Sequence, residues 1–247
     1  MMHSEYFTVY HVDCDRNGRL KTDVFQEMVL NTACRAAEVG GFGIPELNRQ
    51  GRTWVLARYQ QHTILYPKIG DTLRIDTWIE INRMSFSMRN FRVFRIDGKE
   101  HTLLAEARSA WAVIDLQSRE NVNFNDIPNY PEPEGGSVEL PVLPRPDRKA
   151  EMVSTTHRIV YSDLDQNGHC NSSRHLQIMI DSLNDIDGIF PSDLLVSYSH
   201  EVFFGEEVTI KRTKDGSPYF LIFNKEGTLC VTAYFVSPLL LKNDRID

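Results

Sequence analysis

The chain has 247 residues, of which 41% are hydrophobic and 25% charged, with a formal net charge of −7. This is the composition of a globular protein with a sizeable core, long enough for two units of about 100 to 150 residues. No apolar run approaches the roughly 18 residues of a membrane span, and the acidic balance argues against a general binder of nucleic acid or anionic membrane. Met1 to Tyr10 has neither a secretion-signal nor a transit-peptide profile. Cys14, Cys34, Cys170 and Cys230 lack paired metal-ligand spacing and read as reduced cytoplasmic thiols.

Taken in order, residues 6–12 have a strand pattern, and Asp13-Cys14-Asp15-Arg16-Asn17-Gly18-Arg19 follows as a loop. Val24, Phe25, Met28, Val29, Thr32, Ala33, Ala36 and Ala37 then recur at helical spacing, with Thr22 as the expected cap and Gly40-Gly41 as the stop. Strand patterns come next at 54–64, 72–80, 86–95 and 103–115, separated by turn signals such as Gly70-Asp71 and Asp97-Gly98. Between residues 126 and 150, six prolines and Gly135-Gly136 mark an extended linker with no core of its own. The expected units are therefore 1–125 and 151–247, joined by 126–150.

The second unit repeats the first on a smaller scale. A strand at 155–161 leads into Ser162-Asp163-Leu164-Asp165-Gln166-Asn167-Gly168-His169-Cys170-Asn171, and Leu176, Met179, Ile180 and Leu183 then line a helix capped by Asn171 or Ser172. Strands follow at 194–203, 207–212, 219–224 and 228–237, with Asp215-Gly216 as a hairpin turn. Asp13, Asp15, Asn17 and Gly18 each recur 150 positions later, whereas Arg19 is replaced by His169. One strand, a long helix and four strands, used twice, predict an α+β fold in which an antiparallel sheet wraps a helix, duplicated and fused.

The loop at 163–171 is the candidate active site. By motif alone, Asp-x-Asn-Gly is ordinary turn chemistry, and the repeat suggests a shared turn that carries chemistry in one copy. If the loop were extended, Asp165, Asn167 and His169 would project to one side, and the amides opening the helix could hold a developing oxyanion. Asp163-x-Asp165-x-Asn167-Gly168 also resembles the opening of a calcium loop, but the twelfth position, where that loop needs Glu, is Arg174 here and Val24 in the first copy. Cys170 next to His169 reads as a small packing residue. No cofactor or metal is expected.

Ser162-Asp163-Leu164-Asp165-x-Asn167-x-His169-x-Asn171 resembles the motif of the acyl-ACP thioesterases, a double hot-dog family that releases fatty acids from acyl carrier protein. That motif typically continues with Val, a second Asn and a Tyr where this chain has Cys170, Ser172 and His175. Gly41-Phe42-Gly43, Trp54-Val55, Arg58, Tyr66-Pro67, Gly70-Asp71, Asp76-Thr77-Trp78 and Trp111 extend the resemblance over nearly the whole chain. It implies a tandem double hot-dog fold, a thiolester hydrolase, an acyl carrier protein partner and a further site residue, Glu201, expected in a strand. Plant members follow this Glu with Cys; here it is Val202, which excludes a cysteine nucleophile at that place. The missing transit peptide implies a bacterial-type cytoplasmic enzyme.

The residues then take roles. Asp165 or Glu201 acts as base or nucleophile, His169 carries and orients a proton, and Asn167 positions water or substrate. An acyl-CoA thioesterase, an enoyl hydratase and a non-catalytic acyl-binding module are the alternatives. The spacing Asn167-Gly168-His169 is one residue short for a hydratase of this fold, and a binding module would lack the acid and imidazole in both halves. A carrier-protein docking surface should be locally basic, with Arg83, Arg89, Arg92 and Arg95, or Arg145, Arg148 and Lys149, as the candidate clusters. A fused pair of units leaves open whether the chain pairs again as a homodimer.

Overall fold

The computed structural model describes residues 2–238 apart from 84, 144, 148, 186–187 and 215–217. The first half comprises β1 (His3–Thr8), α1 (Thr22–Val39), a short α2 (Ile44–Asn48), β2 (Arg52–Thr63), β3 (Thr72–Arg83), β4 (Phe86–Asp97) and β5 (Glu100–Asp115). The second comprises β6 (Met152–Arg158), α3 (Ser172–Asp181), β7 (Pro191–Tyr198), β8 (Glu207–Thr213), β9 (Tyr219–Phe223) and β10 (Leu229–Pro238). The Asp215-Gly216 hairpin signal lies outside the described residues.

The ten strands among the described residues form one sheet in the order β1-β3-β4-β5-β2-β7-β10-β9-β8-β6. The order read from either edge is the same, β1-β3-β4-β5-β2 against β6-β8-β9-β10-β7, so the repeat read from the sequence is a repeat of topology. The halves join where β2 pairs antiparallel with β7, from Arg58↔Ser197 to His62↔Asp193. His62 Nδ1 lies 2.8 Å from Asp193 Oδ1 across this seam. This is the duplicated helix-and-sheet arrangement of a double hot-dog.

Alternation along the strands decides which side is buried. In β3, Leu73, Ile75, Thr77 and Ile79 are buried against the helical layer, and Arg74, Asp76, Trp78 and Glu80 occupy the opposite face. A single core spans both halves and includes Phe25, Tyr59, Phe91, Leu176, Val196 and Phe220. A smaller aromatic cluster beneath α2 stacks Trp54 on Phe124 and Phe124 on Tyr130, with centroids 6.1 and 5.1 Å apart.

Several expectations change. Thr22 does not cap α1: Lys21 holds the cap position, and the Thr22 hydroxyl donates to the Ile189 carbonyl at 2.7 Å, tying the helix to the second half. Gly40 and Gly41 do end the helix, Gly41 with a left-handed φ of 77°. The helix of the second half is short. It closes at Asp181, and the chain turns through Asn184, whose φ is 54°. Arg89 cannot belong to a basic docking patch, because it lies on the inner face of β4 and is 7% exposed. Arg92, three residues on, falls on the other face, where it pairs with Glu106 at 2.9 Å. Arg148 lies outside the described residues.

The proline-rich segment is extended, and it is pinned across the outer face of the first half. Trp78, Asn90, Arg108 and Gln60 stand in one row through the registers of β3, β4, β5 and β2. Trp78 and Asn90 donate to the Gly136 carbonyl, Arg108 to that of Val138 at 2.7 Å, and Gln60 to that of Pro141 at 2.9 Å. Val138 is fully covered by this contact, so the segment buries apolar surface that its composition does not suggest. No helix among the described residues is long and apolar enough to cross a membrane.

Candidate active site

The loop after β6 is a closed turn, so the extended alternative, with Asp165, Asn167 and His169 on one side, does not hold. Asp165 N donates to the His169 carbonyl at 2.8 Å and Gly168 N to that of Asp165 at 3.1 Å, with Gly168 at φ 77°. Asp165 Oδ1 accepts from the amides of Asn167 (2.8 Å) and His169 (3.2 Å). A short acid preceding Asn-Gly satisfies its own downstream amides, and glycine takes the left-handed position at no steric cost. Asp163 anchors the base of the loop, accepting from Val160 N and standing 2.9 Å from His157 Nε2; it is a structural residue.

The first loop has the same turn. Asp15 Oδ1 accepts from Asn17 N (2.9 Å) and Arg19 N (2.8 Å), and Asp15 N donates to the Arg19 carbonyl. The copies diverge at the residue that closes them. Arg19 reaches back to Asp15 Oδ2 through Nε and Nη2, at 2.9 and 2.6 Å, and its guanidinium lies 4.0 Å from the Phe190 ring centroid. The shorter imidazole of His169 points elsewhere, so Asp165 Oδ2 has no protein partner among the described residues. One substitution thus separates a neutralised carboxylate from an available one.

His169 Nδ1 lies 3.2 Å from Glu201 Oε1. Its ring meets Phe203 edge-on, with centroids 4.9 Å apart. Glu201 is not on a strand. β7 ends at Tyr198, the amides of Ser199 and His200 both turn to the Cys230 carbonyl, and the chain peels away from the sheet. The released segment pairs instead with the loop, through Cys170 N to the Val202 carbonyl at 2.8 Å and a bridge between His169 and Phe203. That pairing sets Glu201 beside the imidazole.

The other oxygen of Glu201 accepts from Arg119 Nη2. Arg119 comes from the first half, at φ 63° in the turn after β5, where Asp115 Oδ1 accepts from the amides of Gln117 and Ser118. Sequence reasoning missed Arg119. Its only local signal is a turn, and its reach to Glu201 depends on the fusion of the two halves.

Asp165, Asn167, His169, Glu201 and Arg119 all line one groove of about 740 Å³, which continues past the start of α3 to Leu30, Cys34, Trp54, Leu56 and Trp111 of the first half. The residues named from the sequence are therefore together in one groove, whose lining also takes in apolar side chains of the first half. The helix start offers less than expected, because Asn171 Oδ1 caps it and takes the Ser173 amide at 2.9 Å. The thiols offer no nucleophile. Burial, aided by Asp163 and Asp165, holds Cys170 far above its usual pKa, and burial pushes Cys34 up to about 11. His175, in the groove wall, is 4% exposed with its Nδ1 unpartnered among the described residues, and burial lowers its pKa to about 4.

Comparison with known proteins decides the lineage: the acyl-ACP thioesterase N-terminal domain matches residues 1–127 and the C-terminal domain of the same family residues 146–233. The chain belongs to the acyl-ACP thioesterase family. It is 26% identical over 202 residues to the chloroplastic palmitoyl-acyl carrier protein thioesterase of Gossypium hirsutum, an overlap of 74% of this chain and 47% of the relative. The Arabidopsis thaliana protein of the same description is 28% identical over 191 residues, covering 70% and 44%. The chain thus spans about half the length of the curated relatives it matches. Among solved structures, an acyl-ACP thioesterase from Bacteroides thetaiotaomicron superposes with a TM-score of 0.80 at 27% identity, covering 95% of this chain and 97% of the other. The 12:0-ACP thioesterase of Umbellularia californica gives 0.79 at 17% identity, covering 96% and 97%, which shows the shared fold.

Proposed function

We propose that the chain hydrolyses the thioester of a fatty acyl group carried on acyl carrier protein, releasing the free acid and ending chain elongation. The observation that carries this reading is the His169–Glu201 pair in the wall of a groove that is also lined by Leu30, Trp54, Leu56 and Trp111 of the first half. Glu201, held by Arg119, accepts from the Nδ1–H of His169 and so leaves Nε2 as the base. Nε2 takes a proton from water as its oxygen attacks the carbonyl carbon. The C–S bond then breaks, and the proton on His169 passes to the departing carrier thiolate. Asn167 orients the carbonyl, and the unneutralised Asp165 Oδ2 orients the water.

In this reading residues 1–125 shape the acyl site, 126–150 connect, and 151–247 supply Asp165, Asn167, His169 and Glu201, with Arg119 as the one contribution from the first half. The relatives named above as acyl carrier protein thioesterases support carrier protein as partner. The four free cysteines fit a cytoplasmic setting. The test is steady-state thiol release from an acyl-ACP by Glu201→Gln, His169→Ala and the double variant. Each single change should cost on the order of 10²–10⁴ in turnover, and the double no more than the worse single. Near-normal turnover in both Glu201→Gln and Asp165→Asn would refute the assignment.

A further inference from the structure

Beside the groove, α1, the segment after it and the sheet line a second and much smaller cavity of about 30 Å³. Cys34, Trp54 and Trp111 line both spaces; Ser87, Arg89 and Tyr130 line only the inner one. The shared walls place the inner cavity directly beside the groove that His169 lines. Its lining is mostly apolar and aromatic, with polar groups at Ser87, Arg89, Tyr130 and Glu38, the last of which is exposed and pairs with Arg35.

Arg89 is unusual for such a place. It is 7% exposed, and among the described residues its one hydrogen bond is a long 3.4 Å contact to Thr77 Oγ1. No carboxylate among the described residues stands within ion-pair distance of it. Tyr130, Cys34 and Glu134 favour its charged form, but burial dominates and lowers its pKa to about 10, so it remains a cation at neutral pH. A guanidinium carries five donors. A plain methyl terminus pressed against it would leave those donors buried without acceptors, which is a poor end wall for an alkyl chain and a good one for an oxygen. The neighbouring hydroxyls add further partners: Tyr130 Oη lies 2.7 Å from Ser87 Oγ. The volume is about that of one water molecule, which matches a single-oxygen substituent.

Resting on the thioesterase reading, we propose that this inner cavity reads an oxygen on the acyl chain remote from the thioester, and that the preferred substrates are acyl chains bearing a hydroxyl or oxo group where the chain reaches Arg89. Two arms test this. The first measures binding of free alkanoic acids and their ω-hydroxy counterparts, over a series of chain lengths, by quenching of Trp54 and Trp111 fluorescence. The second measures kcat/KM for the matching acyl-ACP thioesters. At the optimal length the wild type should favour the hydroxylated member about tenfold in both arms, with the kinetic preference in KM. Arg89→Met should abolish or invert that ratio and Arg89→Lys should keep part of it. The inference is overturned if unsubstituted chains bind and react at least as well at every length in the wild type, a result that needs no variant to fold. A preference unchanged in Arg89→Met also overturns it. Hydrolysis without preference would refute the inference and spare the thioesterase reading; an Arg89-dependent binding preference without hydrolysis would do the reverse.

Discussion

Replacing His175 by phenylalanine should change how stability depends on pH while changing little at pH values above neutrality. The His175 ring is 4% exposed on α3, tilted against Tyr198 at 6.1 Å, and its Nδ1 has no partner among the described residues. Burial lowers its pKa from 6.5 to about 4, against a weaker pull from Asp163. The unfolded chain therefore binds a proton at His175 where the folded chain does not, and stability falls as pH drops from 6.5 towards 4. Below that the two states bind alike and the loss stops growing. Each pH unit in the window costs about 1.4 kcal/mol, for a total of roughly 3 kcal/mol. In a domain of this size that is a fall of roughly 6–12 °C in Tm attributable to one ring. Phenylalanine has a similar volume, does not titrate and leaves no buried nitrogen unpaired. Thermal unfolding followed by circular dichroism across this range should show wild-type and His175→Phe curves that nearly coincide at the alkaline end and diverge below pH 6.5, the variant being the more stable. Parallel curves throughout would show that the ring is hydrated or protonated in the folded state and would refute the reasoning.

The two copies of the turn separate structure from chemistry. Asp165→Asn keeps an acceptor for the loop amides, so stability should change by less than about 1 kcal/mol while turnover falls at least tenfold. Asp15→Asn should lose its part-buried pairing with Arg19, costing about 1–2 kcal/mol, with turnover unchanged; thermal melts and thiol-release assays on both variants check this crossed pattern. Arg119→Met frees the second oxygen of Glu201. Because both side chains are partly exposed, at 46% and 27%, the stability cost should stay below about 1 kcal/mol, but turnover should fall about tenfold with KM unchanged. An unaltered kcat would show that Glu201 keeps its orientation without Arg119.

Much of this was legible because it is local. The spacing of Val24, Phe25, Met28 and Val29 identifies α1, and the recurrence of Asp, Asn and Gly 150 residues apart identifies the shared turn. The replacement of Arg19 by His169 is the difference that separates the two copies. What escaped depends on pairing between distant strands. Glu201 lies in an apparent strand pattern, yet the loop at 163–171 competes for that segment and draws it off the sheet after Tyr198. Arg119 reaches the site only because β2 and β7 fuse the halves. Arg89 looked like one of several surface arginines, and only the register of β4 turns it inward. The row Trp78, Asn90, Arg108 and Gln60 that holds the proline-rich segment comes from four strands, so no stretch of sequence announces it.

The most direct test of the central claim is free-thiol release from a panel of acyl-ACPs and acyl-CoAs, measured for the wild type and His169→Ala. The account predicts release that favours the carrier-protein substrates and is lost in the variant. Absence of release from either carrier, or a variant as active as the wild type, would contradict it and leave the loop around Asp165 and His169 a structural turn.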